Sequence, residues 1–165
     1  MLRLALVRHA KSSWNAPELS DFERPLNARG KRDAPIMVQR YALLGRQPDH
    51  LVSSPALRAI TTARLFCAGL DVSPDDIEVR PRIYEASLDG LLETLRSLDS
   101  GARHVMMFGH NPGFTELART LAHCPFNDMP TCSIAAFELH AERWAEVGPG
   151  CGRLIHFLYP KDGAS

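Results

Sequence analysis

Four consecutive apolar residues, Leu4-Ala5-Leu6-Val7, run directly into Arg8-His9 within ten residues of the N-terminus. An unbroken apolar run of this length suits a strand buried on both faces, as strands of parallel sheets are. That requirement favours folds with helices packed on either side of a sheet. Residues after such a strand stand at its carboxyl end, where open α/β sheets bind ligands. Arg8 and His9 would there set a fixed positive charge beside a nitrogen nucleophile. From these two residues alone a solvated Arg-His pair is the simpler reading, so the matter rests on the partners the chain supplies.

The 165 residues, 45% hydrophobic and 23% charged, are enough for one domain with a good core, and a single domain over residues 1–165 is expected. Nineteen Lys and Arg balance nineteen Asp and Glu. This argues against nucleic acid or an anionic membrane as partner, while leaving room for a local basic pocket. No apolar run approaches the ~20 residues of a membrane span. No signal-peptide pattern precedes the first strand, and a cytoplasmic location is the default expectation. Cys67, Cys124, Cys132 and Cys151 form no C-x-x-C pair and have no ligand-spaced His. A zinc site is therefore not expected; free thiols in a reducing compartment are, with Cys67 in the core.

Residues 9–26 are polar and rich in turn formers, a long loop of the kind that often carries function. Asn27 reads as the N-cap of a helix running to about Leu44, with Ile36, Val38, Tyr41, Ala42 and Leu44 on its apolar side and Gly45 ending it. Pro35 implies a kink, or a start just before it. His50–Ser53 reads as a strand, and Ser54-Pro55 as the N-cap and first residue of the next helix. Arg58 then sits near a helix start, an unfavourable place for a cation unless an anion binds there; a solvated surface Arg is the alternative. Ile77–Val79 suggests a short strand and Leu88–Leu98 an amphipathic helix. His104–Phe108 is a further strand, followed by Gly109-His110-Asn111-Pro112-Gly113, with Asn111-Pro112 again as N-cap and first helical residue, and a helix faced by Phe114, Leu117, Ala118 and Leu121. Ser133–Leu139 and Arg153–Tyr159 have no helix between them and read as antiparallel neighbours. The whole is an α/β chain with a mixed, mostly parallel sheet in a three-layer α/β/α sandwich.

Three strand-to-helix junctions thus carry Arg8-His9, Arg58 and His110. If their strands are parallel, all open on one edge of the sheet. Two Arg, two His and two helix starts facing one crevice suit a tetrahedral dianion: Arg forks grip phosphate oxygens, and helix N–H groups add donors. One His can attack phosphorus while the other stabilises charge. No metal or other cofactor is called for, because guanidinium groups supply the positive charge.

The same residues resemble a known family. Leu6-Val7-Arg8-His9-Ala10-Lys11-Ser12-Ser13-Trp14 resembles the R-H-G/A signature of the histidine phosphatase superfamily, whose fold is phosphoglycerate-mutase-like. Arg24-Pro25-Leu26-Asn27-Ala28-Arg29-Gly30 resembles its R-P-L-x-x-x-G segment. Ser53 to Ala63 resembles S-S-P-x-x-R-x-x-x-T-A, and Val105 to Gly113 the apolar-G-H-N-P-G block. The short length and the last block are most similar to SixA-type phosphohistidine phosphatases. The resemblance implies that His9 is the nucleophile and that Arg8, Arg58 and His110 bind the phosphoryl group. Asn15 matches a phosphate-touching Asn of the mutase branch, or is a turn residue. Arg24 lies in a loop that could fold over the pocket, or is solvated. Glu85 lies where many members carry a proton donor, or is a surface carboxylate. Lys11 stands where the mutase branch has Glu, which speaks against a mutase.

The implied activity is metal-independent phosphoryl hydrolysis through a phosphohistidine on His9, with phosphohistidine on a protein as substrate. The alternatives are a phosphatase for small phosphoesters or sugar phosphates, and a non-catalytic phosphoryl-binding module. The implied partner is a phosphorylated protein or a small phosphorylated molecule.

Overall fold

A computed structural model describes residues 1–160. Six strands form one sheet in the order β3-β2-β4-β1-β5-β6. They are β1 (Leu2–Arg8), β2 (His50–Ser53), β3 (Glu78–Val79), β4 (His104–Gly109), β5 (Ile134–Leu139) and β6 (Gly152–Leu158). β1 pairs in parallel with β4, β4 with β2, and β2 with β3; β5 runs antiparallel to both β1 and β6. Only β5 is reversed, so the expected mixed, mostly parallel sheet is present.

Four helices cover the sheet: α1 (Ala28–Ala42), α2 (Leu57–Leu70), α3 (Leu88–Arg96) and α4 (Gly113–Leu121). Strand alternation divides the apolar residues between two cores. Ala5, Val7, Leu51, Met106 and Phe108 meet Met37, Val38, Ala63 and Phe66 of α1 and α2. Leu4, Leu6, Val52, Val105 and Met107 meet Leu92, Leu95, Leu117 and Leu121 of α3 and α4. This is the three-layer α/β/α sandwich. Among the described residues, no helix is long and apolar enough to cross a membrane.

Three local expectations change. α1 begins at Ala28, with Asn27 accepting the Gly30 N–H, and continues through Pro35. Pro35 lies on the exposed side of the helix, where a carbonyl that loses its N–H partner faces water. The buried stripe is Ala34, Met37, Val38 and Tyr41, whereas Ile36 is 49% exposed. α2 begins at Leu57, two residues beyond Ser54-Pro55, and Ala56 is its N-cap. Ser54 is instead held in the turn, its backbone N–H donating to Phe108 across the sheet edge. α4 begins at Gly113, though Asn111 still caps it in effect, accepting the Thr115 N–H at 3.2 Å.

Candidate active site

Parallel pairing puts the carboxyl ends of β1, β2 and β4 side by side. The backbone continues that alignment past the strands: the His9 N–H donates to the Gly109 carbonyl at 3.0 Å and the Ser54 N–H to Phe108 at 3.0 Å. Arg8, His9 and His110 therefore leave the sheet at one edge, and the start of α2 brings Arg58 to it. The motif residues around them have mechanical roles. Thr62 on α2 accepts the Ala10 N–H at 3.0 Å and donates to the Arg58 carbonyl at 2.7 Å, tying α2 to the segment after β1. Gly30 lets the first turn of α1 press against the loop; a Cβ there would lie 2.2 Å from the Lys11 carbonyl oxygen.

His9 is buried, and its Nδ1 lies 2.7 Å from the Ala10 carbonyl. A carbonyl can only accept, so Nδ1 carries the proton and Nε2 keeps its lone pair. Burial pulls the His9 pKa down to about 4; the Ala10 carbonyl opposes this, and the charges of Arg58, Arg8 and Arg24 add to it. His110 falls to about 3, again mainly by burial, helped by His9 and Arg58. The two rings lie 5.3 Å apart. Both are neutral near pH 7, so His9 presents an unprotonated nucleophilic nitrogen.

The guanidinium groups are held by other means. Arg8 donates to the Met129 carbonyl at 2.8 Å. Arg58 donates to the Asp21 carbonyl at 2.7 Å and to its carboxylate at 2.9 Å. Arg24 is buried, donating to Asp21 at 3.1 Å and to Ser12 at 2.6 Å, and its guanidinium lies 3.5 Å above the Trp14 ring. The Tyr84 hydroxyl donates to the same Asp21 carboxylate at 2.7 Å. Partial burial would raise the Asp21 pKa, but hydrogen bonds from Tyr84 and Arg58 outweigh it and hold the carboxyl at about 2. Asp21 is thus a fixed anion that orients Arg24 and Arg58.

Arg8, His9, Arg24, Arg58 and His110 are brought together. Glu85 and Asn15 are exposed and, among the described residues, their side chains take no part in the hydrogen bonds that hold these five. Glu85 has φ of 55°, and among the described residues its side chain makes no hydrogen bond; the neighbouring Tyr84 donates to Asp21 and its ring lies 5.6 Å from that of His110. For Asn15, among the described residues only its backbone N–H is engaged, donating to the Ser13 hydroxyl. Sequence reasoning missed Asp21, Tyr84 and the hydroxyl of Ser54, which lies 2.8 Å from His110 Nε2. Ser54 stood in a recognised motif, but its contact with His110 spans 56 positions. Asp21 precedes Arg24 by one turn, a spacing without a distinctive pattern. Among the described residues, no three His, Cys, Asp or Glu side chains converge as a metal site would need.

A family model for the histidine phosphatase superfamily (branch 1) matches residues 4–97. The chain belongs to the histidine phosphatase superfamily. An uncharacterised chloroplastic protein of Arabidopsis thaliana is 32% identical over 170 residues, covering 96% of this chain and 78% of the relative. Among solved structures, a protein of Agrobacterium tumefaciens assigned as a SixA phosphohistidine phosphatase matches with a TM-score of 0.82. It is 27% identical, with 96% of this chain and 98% of that one covered. The protein histidine phosphatase SixA complexed with tungstate matches in fold with a TM-score of 0.79 at 22% identity, over 95% of this chain and 96% of that one. The architecture is thus the phosphoglycerate-mutase-like fold of these superfamily members.

Proposed function

We propose that this chain is a metal-independent phosphatase that works through a phosphohistidine on His9, with phosphohistidine on a protein as its substrate. One observation carries the reading. Arg8 Nε, Arg58 Nε and His110 Nδ1 are buried and, among the described residues, have no hydrogen-bond partner. Buried donors without acceptors each cost about 1–3 kcal/mol, more when charged. Three such groups from three chain segments around His9 define a site that a tetrahedral oxyanion would complete.

In this reading the dianion takes hydrogen bonds from Arg8, Arg58 and His110, with Arg24 and Asp21 shaping the pocket. His9 Nε2 attacks phosphorus in line, the P–N or P–O bond to the leaving group breaks, and the electron pair leaves with that group. Water then attacks phospho-His9, releasing inorganic phosphate and restoring the imidazole, with one proton passing to solvent. A phosphorylated imidazole departs readily once its nitrogen is protonated by solvent. Such a substrate needs no proton from Glu85, whose exposed side chain makes no hydrogen bond among the described residues. The site's surroundings also support a protein substrate. A shallow groove of about 480 Å³ lined by Leu19, Phe22, Glu23, Pro25, Pro55 and Leu57 adjoins the loop that carries Asp21. Trp14 is 72% exposed on the same loop. Four free thiols fit a reducing compartment such as the cytoplasm.

The test is a panel of phosphohistidine peptide, acetyl phosphate, aryl phosphate and sugar phosphates, with EDTA and no added metal. Wild type should hydrolyse the phosphohistidine peptide fastest and form an acid-labile phosphoenzyme. His9→Ala should fold, form no phosphoenzyme and lose turnover. Unchanged turnover in His9→Ala would remove the mechanism, and a preference for sugar phosphates would remove the protein substrate.

A further inference from the structure

The two nitrogens of His110 differ in their surroundings, and Ser54 creates the difference. Ser54 follows β2 directly, and its side chain is fully buried. Its Oγ accepts the Ala56 N–H at 3.2 Å and lies 2.8 Å from His110 Nε2. A serine hydroxyl has one proton and two lone pairs. Ala56 offers a donor at that contact, so it occupies a lone pair and takes no proton. Among the described residues, the one acceptor for the hydroxyl proton is then Nε2 of His110.

The opposite assignment leaves two groups unsatisfied. If Nε2 carried the proton and donated to Ser54, the hydroxyl proton would be buried without an acceptor. Nδ1, which has no partner among the described residues, would also turn a lone pair toward any phosphoryl oxygen placed beside it. Each defect costs about as much as a lost hydrogen bond. Burial keeps the ring neutral, so one nitrogen carries a proton and the other does not.

We propose that Ser54 is a positioning residue: its hydroxyl donates to Nε2 and holds His110 as the Nδ1–H tautomer, leaving that N–H free to donate to a phosphoryl oxygen. The second half of this statement rests on the phosphatase reading, whereas the tautomer itself does not. The backbone is built to keep the pair in register. The Ser54 N–H donates to Phe108, two residues before His110, and strand pairing sets Ser53 opposite Phe108. The hydroxyl and the ring thus emerge from neighbouring strand ends at a fixed separation. The second Ser of the Ser53-Ser54-Pro55 motif acquires a chemical task here in place of the helix cap it resembles.

Long-range proton–nitrogen NMR on the ¹⁵N-labelled full chain reads the tautomer directly, with His110→Gln assigning the signals. Wild type should show His110 with Nδ1 protonated and Nε2 bare. Ser54→Ala should stay folded by circular dichroism and shift His110 toward the Nε2–H form. It should also weaken inorganic phosphate binding about tenfold, the size of one net hydrogen bond. Ser54→Thr, which restores the hydroxyl, should recover both. The proposal is overturned if wild-type His110 carries its proton on Nε2, a result that needs no variant. It is equally overturned if Ser54→Ala keeps both the tautomer and the phosphate affinity. A wild type with the Nδ1–H form that neither binds phosphate nor turns over would instead overturn the phosphatase reading and leave the tautomer assignment standing.

Discussion

Acidification should loosen this protein through the two histidines of the site. His9 is held at about 4 and His110 at about 3, against an ordinary value of 6.5. Each ring binds a proton more weakly in the folded state than in the unfolded chain. Between roughly pH 6.5 and pH 4 the unfolded chain therefore carries more protons, and stability falls as pH falls. The contribution is fully present above pH 6.5. At pH 5 the shift of each ring corresponds to about 2 kcal/mol, or ~4 kcal/mol for both. At pH 5 neither folded ring is appreciably protonated, so this sum is the ceiling set by two imidazoles of the unfolded chain, and repulsion between rings 5.3 Å apart pushes the folded values only lower. Against a typical stability of about 5–15 kcal/mol the loss is large. The assay is urea unfolding followed by circular dichroism at pH 8, 6 and 5, comparing wild type with a His9→Gln/His110→Gln double variant. The variant keeps polar side chains but cannot titrate there. Wild type should lose between ~2 and ~4 kcal/mol more than the variant over this range. Parallel pH dependence in the two proteins would refute the argument, because it would mean that the folded pocket does not resist protonation of the imidazoles.

Other consequences follow from single contacts. Gly30→Ala should destabilise the chain by about 1–3 kcal/mol in denaturant unfolding, since the new Cβ meets the Lys11 backbone 2.2 Å away and backbone cannot swing aside as a side chain can. Arg24→Ala should change the fluorescence of Trp14, which loses the cation above its ring. It should also lower kcat/KM about tenfold or more, as Asp21 loses one of its anchors; unchanged emission and activity would show that the loop is held elsewhere. Glu85→Gln should leave hydrolysis of phosphohistidine peptide and aryl phosphate within about twofold of wild type, because the side chain is exposed and unengaged. A slowed aryl phosphate reaction with a normal phosphohistidine reaction would restore it as proton donor.

Much of the site was legible because its residues lie at strand ends. A buried parallel strand announces itself as an apolar run, and the residue after it has a fixed destination. Arg8, His9 and His110 followed from that rule with no knowledge of contacts. Arg58 followed from a cation placed against a helix dipole. Helix starts were less legible: Ser54-Pro55 has the chemistry of a cap, yet α2 begins two residues later because the turn holds Ser54 against β4. Ile36 looked apolar in a helical pattern, but α1 buries Met37 instead, one position round the helix.

The sequence by itself determined the layered α/β architecture and the four side chains at the sheet edge, since periodicity and strand termini are local properties. Tertiary structure alone decided which groups set their chemistry. Asp21 reaches Arg58 across 37 positions, Tyr84 reaches Asp21 across 63, and Ser54 reaches His110 across 56. No local pattern encodes such separations. Hydrogen-bond directions and the depth of burial that depresses both imidazoles arise only when distant segments close on one another.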